Sequence, residues 1–165
     1  MNSRQPNSNH CFVCGLHNPF GLHLTFTNTG EGQVSADLIL GENFQGYPGV
    51  VHGGIIAAML DEACGRAFMT GEEPRFMFTA RLETQYRKNV PVGELLRLAG
   101  QAGPARGRTA KATATLTNQA GEVLAEASAL LVDLPADWIE QADLSDLGWR
   151  GYSDEELGEL SQAQV

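Results

Sequence analysis

Basic residues are scarce in this 165-residue sequence: 11 Lys and Arg stand against 20 Asp and Glu, for a net charge of −9 at pH 7. That balance argues against nucleic acid as the main partner, because phosphates need a basic face. It argues equally against docking on an anionic membrane surface. Cysteine is also sparse, with three residues, too few and odd in number for a secreted disulfide framework. No apolar run approaches the roughly 20 residues needed to span a bilayer. The polar start from Met1 to Asn7 lacks the apolar stretch of a signal peptide. The expectation is a protein of the reducing cytoplasm, with no nucleic-acid partner, no membrane and no metal.

A chain of this length can bury a core as one domain without metal or disulfide staples. Its charge is unevenly spread. Residues 1–132 carry a net of −1, and residues 133–165 carry −8. An anionic ligand can therefore approach the body more easily than the total suggests. The expected divisions are a disordered lead over 1–10, rich in Asn and Ser, a folded domain over 11–134, and an acidic tail over 135–165.

Hydrophobic periodicity orders the body. Residues 22–27 alternate through Leu22, Leu24 and Phe26, and residues 33–40 through Val34, Ala36, Leu38 and Leu40. Both read as strands. A glycine-bearing loop over 41–53 leads into one helix over about 54–69, apolar on nearly every side. Four further strands follow over about 76–87, 95–102, 108–117 and 123–134, separated by short turns. In the tail, Ser153 followed by Glu156 fits a helical capping box, and Trp138 and Trp149 are candidate anchors to the body. Two strands, a buried helix and four strands suit an α+β architecture, a six-stranded antiparallel sheet curled around one long central helix. Such a sheet must hide its edges, and pairing in a dimer is one solution.

The chemistry concentrates where that helix begins. His52, Gly53 and Gly54 open it, and Asp61 lies in its middle among apolar residues. Unpaired N–H groups at a helix N-terminus suit a developing oxyanion, and glycines allow close approach. A carboxylate in apolar surroundings is costly without a partner and asks for a reason. Asp61 shares its face with small residues, Ala57, Ala58 and Gly65, which leaves space for a ligand. Glu62 stands four residues before Arg66, the favourable order for an ion pair, and reads as structural.

His52-Gly53-Gly54 with Asp61 seven residues later resembles the signature of hotdog-fold thioesterases of the PaaI type. The lead-in from Phe44 to Val51 is similar, as are Cys11-Phe12-Val13-Cys14-Gly15, Asn18-Pro19-Phe20-Gly21-Leu22 and Thr79-Ala80-Arg81-Leu82. The likeness spans about residues 11–134. It implies a hotdog fold and hydrolysis of a small or medium acyl-CoA, in a homodimer or dimer of dimers with shared sites and no cofactor. By position, it makes Asp61 the nucleophile or the base for water. Gly53 becomes the oxyanion donor, with Gly54 beside it on the substrate, and His52 the group that orients the loop or touches the thioester. Thr79 is the residue that helps hold water. Where some relatives carry Asn six residues before the histidine, this chain has Gly46, and Gln45 is the substitute candidate for the carbonyl's polar partner.

CoA phosphates require cations. Arg81 and the pair Arg106 and Arg108 around Gly107 are the candidates for substrate binding. Cys11 and Cys14, near His10 and His17, invite a zinc reading, but a second cysteine pair at suitable spacing is missing. Two rivals remain. A hotdog dehydratase or hydratase needs a histidine near the carboxylate, and no histidine lies within or after the helix. A non-catalytic acyl-CoA-binding module is the other.

Overall fold

The computed structural model describes residues 3–72, 74–141 and 146–162. Its centre is helix α1 (Gly53–Arg66), continued by a single 3-10 turn over Ala67–Met69. Around it curls an antiparallel sheet made of β1 (Ser3–Arg4), β2 (Thr27–Gly30), β3 (Gln33–Ile39), β4 (Met77–Tyr86), β5 (Leu95–Arg106), β6 (Thr109–Asn118) and β7 (Val123–Asp133). The strand order is β1-β2-β3-β5-β6-β7-β4. This is the hotdog arrangement, with seven strands where six are expected; the extra strand is the two-residue β1 at one edge.

The helix seats closely because the sheet beneath it is paved with small residues. Ala110, Ala112 and Ala114 of β6 and Ala125, Ala127 and Ala129 of β7 are buried. At Gly100 of β5 the approach is closest, and a Cβ there would collide with the Ala63 carbonyl. Against this floor α1 buries Ile56, Met59, Leu60, Ala63 and Cys64. Its other face, with Ile55, Ala57, Ala58, Asp61 and Glu62, is only half-buried in the single chain. All-round burial of the helix therefore does not hold within one chain.

The lead does not behave as the disordered segment expected over 1–10. Ser3 and Arg4 pair with Asn28 and Thr27, and Gln5 and Asn7 are each 2% exposed. The Asn7 amide donates to the carbonyls of Cys14 (2.7 Å) and Leu24 (2.8 Å). Gln5 donates to the Arg66 carbonyl (3.0 Å) at the C-terminus of α1. Side-chain amides that suggest disorder by composition here satisfy backbone acceptors that burial would otherwise orphan.

A second correction concerns 22–27, where the alternation is real but the ladder is absent. Leu22, Leu24 and Phe26 are buried, yet the regular strand starts only at Thr27. Leu22 and Leu24 donate instead to the carbonyls of Phe12 and Val13. His23 between them has a left-handed backbone, φ 53°, which breaks an extended strand.

The tail forms α2 (Ala136–Gln141) and α3 (Asp154–Gln162). Ser153 and Glu156 close the expected capping box reciprocally, at 2.8 and 3.2 Å. Both tryptophans anchor it: Trp149 stands edge-on to Phe76 at 5.7 Å, and Trp138 edge-on to Phe78 at 5.5 Å. Arg66, 1% exposed, ties lead, helix and tail together. It pairs with Glu62 at 2.9 Å and donates to the Pro6 carbonyl at 2.6 Å. Its guanidinium lies between the rings of Phe26 (5.2 Å) and Trp149 (4.8 Å). The ring faces attract the cation where one of its nitrogens, Nη2, finds no hydrogen-bond acceptor.

Candidate active site

The loop before α1 is built around His52. Its backbone N–H donates to the Phe44 carbonyl at 2.9 Å. Its Nδ1 accepts from Gly54 N–H at 3.0 Å, making it the N-cap of the helix. A neutral ring in this arrangement carries its proton on Nε2. Gly46 makes room for it, since a Cβ there would sit 3.2 Å from the His52 ring. The side-chain oxygen of Gln45 accepts from Gly49 N–H at 3.1 Å, so Gln45 closes the loop on itself.

The two glycines thus differ. Gly54 N–H is taken by His52. Gly53 N–H has no acceptor among the described residues, and it sits at the positive end of the helix dipole. The Gly53 carbonyl accepts from the Tyr86 hydroxyl at 2.8 Å, which holds that peptide against the end of β4. Tyr86 belongs, with Arg87, to the strand segment that carries the family resemblance, but the sequence gives no sign of its contact with Gly53.

Further along α1, Asp61 Oδ1 accepts from the Thr79 hydroxyl of β4 at 2.6 Å. Oδ2 is left without a partner among the described residues. Thr79 lies next to a bulge in β4, between Thr79 and Arg81. Asp61 also helps to push the buried Cys64 thiol up to about 12, after desolvation as the larger cause, so that thiol stays protonated and unreactive.

The candidate cations separate into two groups. Arg81 lines a groove of about 290 Å³ together with Lys111. Arg106 and Arg108 flank the β5–β6 turn at Gly107 (φ 58°). None of these four has an ion-pair partner among the described residues. Arg87 and Lys88, by contrast, are paired with Glu126 and Glu122.

Next to Asp61 on α1, Glu62 meets the lead: Cys11, Cys14 and Glu62 bring their donor atoms within 4.8 Å of one another. Cys11 Sγ accepts N–H from Val13 (3.3 Å) and Cys14 (3.5 Å). The neighbouring Cys14 thiol and these N–H groups lower the Cys11 pKa to about 6, against burial and the Glu62 charge. Cys14 is pushed upward by the same contact and by burial. The Glu62 carboxylate already pairs with Arg66 through Oε1.

A curled antiparallel sheet around one helix defines the class by its fold, a hotdog domain, here with a carboxylate mid-helix and, at the helix start, an N–H that has no acceptor among the described residues. The comparisons agree. Residues 48–125 match the Thioesterase superfamily. It is 31% identical over 114 residues to acyl-coenzyme A thioesterase THEM4 of Rattus norvegicus, covering 68% of this chain and 48% of that protein. The chain therefore spans about half the length of this curated relative. The structure of protein RHA08564, a thioesterase superfamily protein, superposes with a TM-score of 0.71 at 30% identity, over 76% of this chain and 61% of that one. The structure of smu.793 from Streptococcus mutans UA159, bound to acetyl CoA, shares the fold with a TM-score of 0.61 at 22% identity, over 67% of this chain and 88% of that one.

Proposed function

We propose that the protein hydrolyses an acyl-CoA thioester to the free acid and CoA, at a site shared between two copies of the chain. The observation that carries this reading is the Thr79–Asp61 hydrogen bond, which fixes one carboxylate oxygen and leaves the other free. Oδ2 of Asp61 takes a proton from water as the water attacks the thioester carbonyl, or attacks that carbon itself. The Gly53 N–H receives the developing oxyanion. Collapse of the tetrahedral intermediate expels CoA as its thiolate; where Asp61 itself attacks, this leaves an acyl–Asp61 anhydride, which water hydrolyses to the free acid and the regenerated carboxylate.

Helix geometry supports the shared site. Gly53 and Asp61 are eight residues apart on α1, or roughly 12 Å along its axis at about 1.5 Å per residue. One carbonyl cannot meet both within a chain. The half-buried outer face of α1 and the exposed edge strand β4, with Phe78 49% and Tyr86 53% exposed, suit pairing with a second copy. The resemblance to THEM4 supports CoA as the thiol half, and the acetyl CoA bound to smu.793 is consistent with it. His52 serves as helix cap and loop organiser, a role that its Nδ1 contact favours over that of a dehydratase acid. Free Cys11, Cys14 and Cys64 suit a reducing cytoplasm, and no described helix is long and apolar enough to cross a membrane.

The test is thiol release from a panel of acyl-CoAs, with the molecular mass of the protein measured in solution. Turnover by a dimer or larger assembly is expected. Binding of acyl-CoA with no thiol released from any member would overturn the enzymatic reading in favour of a binding module.

A further inference from the structure

A cavity of about 660 Å³ opens beside α1. Met69 after the helix, Phe76 before β4, Leu134 after β7, and Trp138, Leu147 and Trp149 of the tail form its apolar wall. Ser8, His10, Cys11 and Cys14 of the lead, with Glu62, complete it. Most of these polar groups are engaged with each other. Glu62 holds Arg66, the Ser8 hydroxyl contacts Cys14 Sγ and receives Cys11 N–H, and Cys11 Sγ receives two N–H groups. The volume lies within the range of small-molecule pockets.

Its place in the fold names the occupant. Helix α1 and strand β4 run side by side in opposite directions. Gly53 meets Tyr86, and Asp61 meets Thr79. The next step along the same seam is the cavity, where Glu62 and Met69 face Phe76. We infer that this cavity receives the acyl chain of the thioester, and that the lead and the tail, both outside the matched residues 48–125, select an apolar chain of medium length or an aromatic acyl group. The inference rests on the thioesterase reading for the identity of the chain's carrier, but not for the binding of the chain itself.

The charge of Glu62 in the cavity wall disfavours another class. Dicarboxylic acyl groups would bring a carboxylate towards Glu62. The cation nearest to that residue, Arg66, is already committed to Glu62 and the Pro6 carbonyl. An acetyl group would leave the apolar wall empty. An aliphatic chain gains about fourfold in binding for each methylene it buries, until the cavity is full.

Two measurements on the full chain test this. The first is kcat/KM for straight-chain acyl-CoAs from acetyl to hexadecanoyl, with succinyl-CoA included. The value is expected to climb from acetyl to about decanoyl and then level off, with succinyl-CoA poorest. Met69→Trp, or Leu147→Trp from the opposite wall should the first variant fold badly, fills the space and moves the optimum to shorter chains. The second is binding of decanoate to Asp61→Asn, read from Trp138 and Trp149 fluorescence. Decanoate is expected to bind, and either filling substitution, made in the Asp61→Asn background and read by isothermal titration calorimetry, to weaken it about tenfold or more. A flat chain-length profile that neither filling variant alters, or decanoate binding that both leave unchanged, would overturn the inference. Decanoate binding sensitive to Met69→Trp, with no hydrolysis of any acyl-CoA, would sink the enzymatic reading and leave the cavity assignment standing.

Discussion

The Thr79 hydroxyl donates to Asp61 Oδ1 across 2.6 Å, tying edge strand β4 to the middle of α1. Replacing Asp61 with Asn keeps the size of the side chain and removes its basicity. Turnover is expected to fall by about 10²–10⁴, the range for losing a general base, with the circular dichroism spectrum unchanged. Thr79→Val leaves the carboxylate in place but free to rotate. Its kcat is expected to fall by about tenfold or more, in keeping with the loss of one hydrogen bond to a charged group, with KM nearly constant.

The groove that Arg81 shares with Lys111 and the turn bearing Arg106 and Arg108 are separable as phosphate sites. Arg106→Ala with Arg108→Ala is expected to raise KM for acyl-CoA more than for a short thioester lacking the nucleotide. Arg81→Ala with Lys111→Ala is the matched comparison. Whichever pair spares the truncated thioester while harming acyl-CoA marks the phosphate path. Equal losses on both substrates, from either pair, would place it elsewhere.

Gly100 is where sheet and helix touch, and a methyl group there meets the Ala63 carbonyl. Gly100→Ala is expected to destabilise the protein by about 1–3 kcal/mol through overpacking. Chemical denaturation reads this directly. Gly41→Ala is the control, because nothing lies within 4 Å of a Cβ at that position.

The cysteines should react unequally. With its pKa lowered to about 6, Cys11 is a thiolate at neutral pH and protonates only as the pH falls through that value. Its alkylation by iodoacetamide, followed by mass spectrometry, is expected to show a midpoint near pH 6. Cys64, pushed up to about 12 and buried, should stay unmodified until the protein unfolds. Ser8→Ala removes one contact to each of Cys11 and Cys14 but leaves the N–H groups of Val13 and Cys14 on Cys11 Sγ, so the Cys11 midpoint should move little.

Much of the fold is legible in local pattern. Alternation marks β3 and β4 to β7 to within a few residues, because side chains on a strand face opposite ways and only one face meets the helix. The i,i+4 spacing of Glu62 and Arg66 announces their ion pair, and Ser153 with Glu156 announces the start of α3. These are short-range rules, and they hold because the partners are neighbours in the chain. Where a partner is distant the pattern misleads. The alternation at 22–26 reports burial correctly but not the absence of a ladder, since backbone donors there find Phe12 and Val13 rather than a neighbouring strand.

The sequence by itself determined the order of the elements, the helix that carries Asp61 and the glycines that open it. Periodicity and capping are local, so they can be read without coordinates. Tertiary structure alone decided that Gly54 is blocked by His52 while Gly53 stays open, that Tyr86 grips the Gly53 peptide, and that the Asn- and Gln-bearing lead is buried. It also brought the tail's tryptophans over a cavity beside Glu62. Each of these depends on where a polar or aromatic group finds its partner in space, and residues far apart in the chain become neighbours only when the sheet closes around the helix.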